Sequence, residues 1–145
     1  MALLGEMKKT CDQAKEFERI SDLADQLDKA VNRAGEVAFH LGTLAMSPQV
    51  MTAFAFSHPF LMALGDVTMG WMLLDRAVKA MAQTAEKSAE KSAEKSDKNA
   101  AFYEGVLRTA RFFINSELPV TMGRFNAIAA SDDSAEEILD ASFGS

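Results

Sequence analysis

Apolar residues recur along most of this chain in alternating steps of three and four. That spacing places side chains on one face of a 3.6-residue helix. Between about Asp12 and Met46 the line runs Phe17, Ile20, Ala24, Leu27, Val31, Ala34, Ala38, Leu41 and Ala45, with Leu23, Ala30, Val37 and Leu44 beside it. This is the stripe of a bundle helix, and its many alanines suit close approach of a neighbour. A coiled-coil dimer would use the same spacing, but alanines make a weak two-stranded seam, which favours packing within one chain. From about Pro59 to Ala85 the pattern is strongest, through Phe60, Leu64, Val67, Trp71, Leu74, Val78, Met81 and Ala85. Gly65 and Gly70 lie within it, where a neighbouring backbone or the Trp71 ring would fit closely.

A third stretch, Phe102–Pro119, carries Phe102, Val106, Ala110, Phe113 and Leu118, widened by Tyr103, Leu107 and Ile114. The spacing does not stop at Pro119: Met122, Phe125 and Ala129 continue it. A proline inside a helix removes one hydrogen bond and costs roughly 3 kcal/mol, so the pattern predicts a helix kinked at Pro119, held by tertiary packing.

Polar punctuation sets the boundaries. Ser47-Pro48 reads as an N-cap and first helical position, opening a brief connecting helix over Gln49–Phe56. Ser57-His58-Pro59 resets the chain, with Pro59 starting the next helix. Ala85–Ser96 is a threefold AEKS repeat whose only apolar content is alanine, so residues 85–99 read as a charged linker or a solvent-exposed helical extension. Asp97 or Asn99 would cap the helix that follows. Ser131–Ser134 breaks it, Ser134 opens a last short helix, and Asp140–Ser145 is loose. The predicted fold is all-α, an up-down bundle of three to four main helices. Residues 1–16 form an N-terminal lead-in, 17–131 the bundle, and 132–145 a tail.

Composition narrows the function. The 145 residues, 48% of them hydrophobic, suit a single packed domain. A net charge of −6 removes the electrostatic footprint of a nucleic-acid binder and disfavours anionic membranes. The uncharged run Ser47–Gly65 contains two prolines and makes a poor membrane span. The N-terminus is no secretory signal, and the single Cys11 forms no internal disulfide, which suits a reducing, cytoplasmic setting.

Chemistry is sparse. Glu36 and His40 are spaced i,i+4 and share a helix face, but a di-iron bundle wants Glu-x-x-His twice with facing glutamates, and no Glu-x-x-His occurs. His58 precedes a proline at a helix start, a structural position. Cys11 sits in a charged stretch expected to fray, with no histidine near it in sequence. No phosphate-binding glycine pattern can be written onto the eight glycines. Asp132-Asp133 and Glu136-Glu137 lie in the tail, where they cap rather than donate protons. The nine methionines are mixed with other core-type residues and read mainly as core filling. No catalytic, cofactor-binding or metal-binding residue is assigned.

Several local features nonetheless match a known pattern. These are Gly70-Trp71 with Leu74 and Arg76, then Phe102-Tyr103, then Ala110-Arg111-Phe112-Phe113, then Leu118-Pro119 and a tail like EEILDASFG. In this order the chain, from Phe17 to Gly144, resembles the C-terminal helical domain appended to certain bacterial acyl-CoA dehydrogenases, in the subgroup similar to 3-methylmercaptopropionyl-CoA dehydrogenase. The resemblance implies a non-catalytic accessory or oligomerisation domain. FAD, the acyl-CoA pocket and the catalytic glutamate would belong to preceding domains of the parent enzyme, so no such residue carries over. The implied partners are those upstream domains and further copies in a homo-oligomer. A start at Met1 with little chain ahead of the pattern fits an isolated domain or a separately encoded relic, and the AEKS repeat is more regular than the family leads one to expect. Two other readings compete: a stand-alone module dimerising through the Phe17–Ala45 or Phe60–Ala85 seam, and an acyl-ligand binder using the apolar face around Met51–Phe60.

Overall fold

The computed structural model describes residues 2–89, 96–134 and 136–144, with side chains outside 86–98. Four helices account for nearly all of it: α1 (Ala2–Lys15), α2 (Ser21–Ala45), α3 (Val50–Ala89) and α4 (Ser96–Ala129), followed by a 3-10 turn at Asp140–Phe143. Among the described residues there is no strand. The expected all-α bundle is what forms. α2 and α3 make a central hairpin, and α1 and α4 each pack against both of its helices without touching one another. The bundle is therefore a rhombus in section, with α2 and α3 each keeping one face turned away from the others.

The core lies where three helices meet. Leu27 of α2, Leu74 of α3 and Ile114, Leu118 and Phe125 of α4 are buried, and the Phe60 and Phe125 rings lie 6.3 Å apart. Gly70 is at the centre: a Cβ there would stand 3.4 Å from Leu27 Cδ1 and 3.6 Å from Leu118 Cδ1. Its closest neighbours are thus leucine side chains, not a backbone or the Trp71 ring. A Cβ at Gly65 would find nothing within 4 Å, so among the described residues the close neighbour expected there is absent.

Three boundaries differ from the sequence-based expectation. The stretch ahead of Phe17, expected to fray, is helix α1, with Met7, Cys11 and Ala14 fully buried. The helix expected from Asp12 breaks at residues 16–20, where Phe17 and Ile20 N–H groups bond back to Ala14 and Phe17 carbonyls in tight turns. The reversal lets the Leu4, Met7, Cys11 and Ala14 stripe pack on α2 and α3. A straight continuation would have left it in water. Third, Pro59 starts nothing: α3 runs through it. The missing N–H orphans the carbonyl of Ala55, but Ala55 and Pro59 are both exposed, so that carbonyl is open to solvent while packing on either side holds the helix.

α4 runs unbroken through Pro119. Ser47 does act at the start of α3, its Oγ accepting the Gln49 N–H at 3.1 Å. α4 begins at Ser96, which puts Asp97 and Asn99 inside the helix rather than at its cap. The helical extension into the AEKS repeat holds as far as Ala89, and residues 90–95 lie outside the described residues. The helix expected from Ser134 is replaced by turns, because Asp132 Oδ1 takes the Ser134 N–H and hydroxyl for itself.

Candidate functional site

The positions singled out for chemistry do not converge. Cys11 is buried on α1, and burial, with Asp28 nearby, pushes its thiol up to about 12. A thiol so protonated is a poor nucleophile. His40 lies on α2 beyond Glu36, its Nε2 buried without a partner, and His58 is exposed on α3. Among the described residues no group of three His, Cys, Asp or Glu is placed to hold a metal.

The charged residues instead tie helices together. Along the α2–α4 seam Arg111 donates to both oxygens of Asp22, at 2.6 and 3.1 Å, and to the Arg19 carbonyl. The Arg111 hydrogen bond holds the Asp22 carboxyl below its usual range. Glu104 is held low likewise, accepting from Arg19 and Arg108 at 2.8 and 3.1 Å. Gln26 donates to Asn115 and Arg33 to Asn126 further along. A cleft of about 440 Å³ opens among these arginines, but Arg111 is paired with Asp22 while Arg19 and Arg108 share Glu104. It is a clamp between helices, not a vacant anion site. On the α3–α4 seam Asp66 accepts from Arg124 at 2.7 Å and from Thr121 at 2.9 Å. On the other flank the Trp71 indole donates to Thr10 Oγ1 at 2.8 Å, pinning α1 to α3.

What the bundle leaves open is apolar. The stripes expected to serve as dimer seams, Phe17–Ala45 and Phe60–Ala85, are covered by the chain's own helices. The longest uncovered stretch is the opposite side of α3, carrying Met51, Phe54, Leu61, Met62, Met69 and Met72, each 48–67% exposed; Phe39 on α2 and Met46 just after it are exposed as well. From Val50 to Leu74 the only charged side chain is Asp66, which is tied sideways to α4. The methionines read as core filling are thus largely on the surface. Val50–Ala85 is long and apolar enough, by length and composition alone, to cross a membrane, and 22% of its most apolar window is buried within the bundle. The outward side of α4 is also poor in charge, with Phe102, Phe112 and Val120 exposed. A second cleft, of about 300 Å³, lies between these two helices, lined by Leu73, Arg76, Phe102 and Val106 among others. Patches of this kind mark surfaces that other molecules cover.

An all-helical bundle held by inter-helix clamps, with no convergent chemical site assembled among its described residues and an uncovered apolar face, has the character of a packing domain. The comparison with protein families agrees: the family described as acetyl-CoA dehydrogenase C-terminal like matches residues 3–138. The chain belongs to that family. A comparison with individual curated proteins gives no match.

Proposed function

We propose that this chain is the non-catalytic accessory domain of a flavin-dependent acyl-CoA dehydrogenase, and that its work is to hold that enzyme's assembly together. On this reading FAD and the acyl-CoA pocket reside in dehydrogenase domains upstream, in a cytoplasmic enzyme of the kind similar to 3-methylmercaptopropionyl-CoA dehydrogenase. This domain contributes surface, binding neither nucleic acid nor membrane. The observation that carries the proposal is the outward face of α3, whose six large apolar side chains are half to two-thirds exposed. A helix apolar on all sides is stable in water only when each side is covered, and membership in a C-terminal-like family supplies the candidates for covering it.

Deletion tests this. A full-length acyl-CoA dehydrogenase carrying this domain is compared with the same enzyme truncated before it, by light scattering, flavin absorbance and dye-coupled turnover. The truncated enzyme is expected to dissociate or lose thermal stability while retaining flavin. Equal mass, stability and turnover without the domain would sink the proposal.

A further inference from the structure

Among the described residues three buried side-chain polar atoms have no hydrogen-bond partner: His40 Nε2 on α2, Thr52 Oγ1 on α3 and Ser131 Oγ just past α4. The packing brings all three to one end of the bundle. Across the α2–α4 seam, Asp22 and Arg111, Gln26 and Asn115, and Arg33 and Asn126 pair at separations of 89, 89 and 93 positions. Gln26, Arg33 and His40 follow one another at steps of seven, which keeps them on one flank of α2. Ser131 stands 91 positions from His40, so the two take the next place on that ladder, and there no direct bond joins them.

Thr52 reaches the same level from α3. α3 and α4 run antiparallel, with Phe60 beside Phe125 and Asp66 bonded to Thr121. That register sets Thr52 within about one turn of Ser131, roughly 3–6 Å along the axis at 1.5 Å per residue. Thr52 is 1% exposed. The six other threonines of the chain each donate to the carbonyl four residues back. Thr52 alone does not: it lies in the first turn of α3, so the residue four back, Pro48, precedes the helix. Its hydroxyl is closed off both from the surface and from the partner a helical threonine ordinarily uses.

Burying a hydroxyl or an imidazole nitrogen without a partner is costly, and an internal water is the usual remedy where several such atoms converge. We infer that this end of the bundle is a binding site for one internal water molecule, bridging His40 Nε2, Thr52 Oγ1 and Ser131 Oγ. Burial selects the occupant. Atoms sealed from the surface are out of reach of a partner's side chain. The three groups include no carboxylate and no guanidinium, so neither a metal cation nor an anion meets a matching charge. A buried water makes about three hydrogen bonds, and hydroxyls and imidazole nitrogens can serve it as donor or acceptor. The adjoining inward positions are small, Ala53 on α3 and Ala129 on α4. Bridged in this way, the end of α4, where the tail departs, is tied to the α2–α3 hairpin.

The test uses the 145-residue chain and reads urea midpoints. Thr52→Val and Ser131→Ala each remove one link to the water and should lower the midpoint. Because both hydroxyls bond the same water, the double variant should lose clearly less than the two single variants together. Residues that share no partner are additive instead. A hydroxyl that is merely unpaired behaves in the opposite sense, since a valine of the same shape relieves it. A Thr52→Val midpoint that holds or rises, or a double variant equal to the sum of the singles, overturns the inference. Circular dichroism checks that each variant keeps its helix content. A crystal structure of the unaltered chain gives an independent reading that needs no variant. Solvent density within hydrogen-bond distance of Thr52 Oγ1 and of one of the other two atoms is the expected result. Its absence overturns the inference as well.

Discussion

α2 and α3 occupy equivalent corners of the rhombus, each with one side in the core and one turned out. Their outward sides differ sharply in composition. That of α2 carries Asp25, Lys29, Asn32 and Glu36, all exposed, with Phe39 toward its C-terminal end as its one large exposed apolar side chain. That of α3 carries methionine, phenylalanine and leucine. Both inner stripes are equally buried, with Leu27 and Leu74 at 0% exposure, so folding the single chain does not require the difference. An α2-like outer face would serve α3 as well if solvent were its only neighbour. The lesson is that most of α2, up to Phe39, is finished by this fold and the outward side of α3 is not.

The first way to break the comparison is to ask whether the two helices really contribute alike to the core. Leu27→Ala and Leu74→Ala each remove a fully buried side chain and should cost about 2–5 kcal/mol, read as a lower urea midpoint. A Leu74→Ala cost near zero would mean that α3 is loosely attached and that its exposure reflects poor docking rather than an unfinished surface. A smaller effect probes the flank. Thr10→Val keeps the shape but removes the acceptor of the Trp71 indole, leaving a part-buried donor unpaired at a cost of about 1–2 kcal/mol. Trp71 is the single tryptophan, so its emission should shift as its hydrogen bond goes. An unchanged midpoint and spectrum would show that α1 does not clamp α3.

How much of this was legible follows from where the signals sit. The inner stripes of α2, α3 and α4 could be read because burial demands apolar residues at helical spacing, and Leu27, Leu74 and Ile114 obey. The stripe of α1 was equally periodic, at Leu4, Met7, Cys11 and Ala14, but it is short and set among lysines and glutamates, so composition hid the period. The break at residues 16–20 left no glycine or proline to mark it. At Pro59 the local rule was sound and tertiary packing overrode it, as it also did at Pro119, where the continuing stripe gave warning. The outer face of α3 was misjudged for a plainer reason. A methionine at a core-like spacing looks the same whether the core is within the chain or across an interface, and only the packed structure tells them apart.

A finer comparison uses two exposed helical glycines, Gly42 on α2 and Gly65 on α3, neither with any atom within 4 Å of a would-be Cβ. Within one chain both Gly→Ala changes should stabilise by about 0.5–1 kcal/mol through helix propensity alone. If a second molecule covers the outward face of α3, the methyl added at Gly65 stands between the two surfaces, and Gly65→Ala should weaken association where Gly42→Ala does not. Thermal melts at low and high protein concentration separate the two effects. Equal gains at both positions and all concentrations would mean that no second molecule covers Gly65.

The smallest expected effect tests what the charges of α2 are for. Asp22 and Arg111 form a two-pronged pair about half exposed, with relative side-chain exposures of 51% and 44%. Solvent screening limits such a pair to about 0.5 kcal/mol. Its pH dependence has a definite sign. The Asp22 carboxyl is lowered in the folded chain, chiefly by its hydrogen bond from Arg111, while Arg111 is raised and stays charged. The contribution is therefore present above the ordinary aspartate value of roughly 4 and is lost as the pH falls below it. Arg111→Met should lower stability slightly at neutral pH, and its deficit relative to the unaltered chain should shrink as the pH falls below that value. Urea melts of both proteins across that range read the difference directly. A deficit that persists undiminished in acid would mean that Arg111 acts through its stem and its bond to the Arg19 carbonyl. The α2–α4 seam would then be held by packing and backbone contacts, with its ladder of charges left to solvate the finished face.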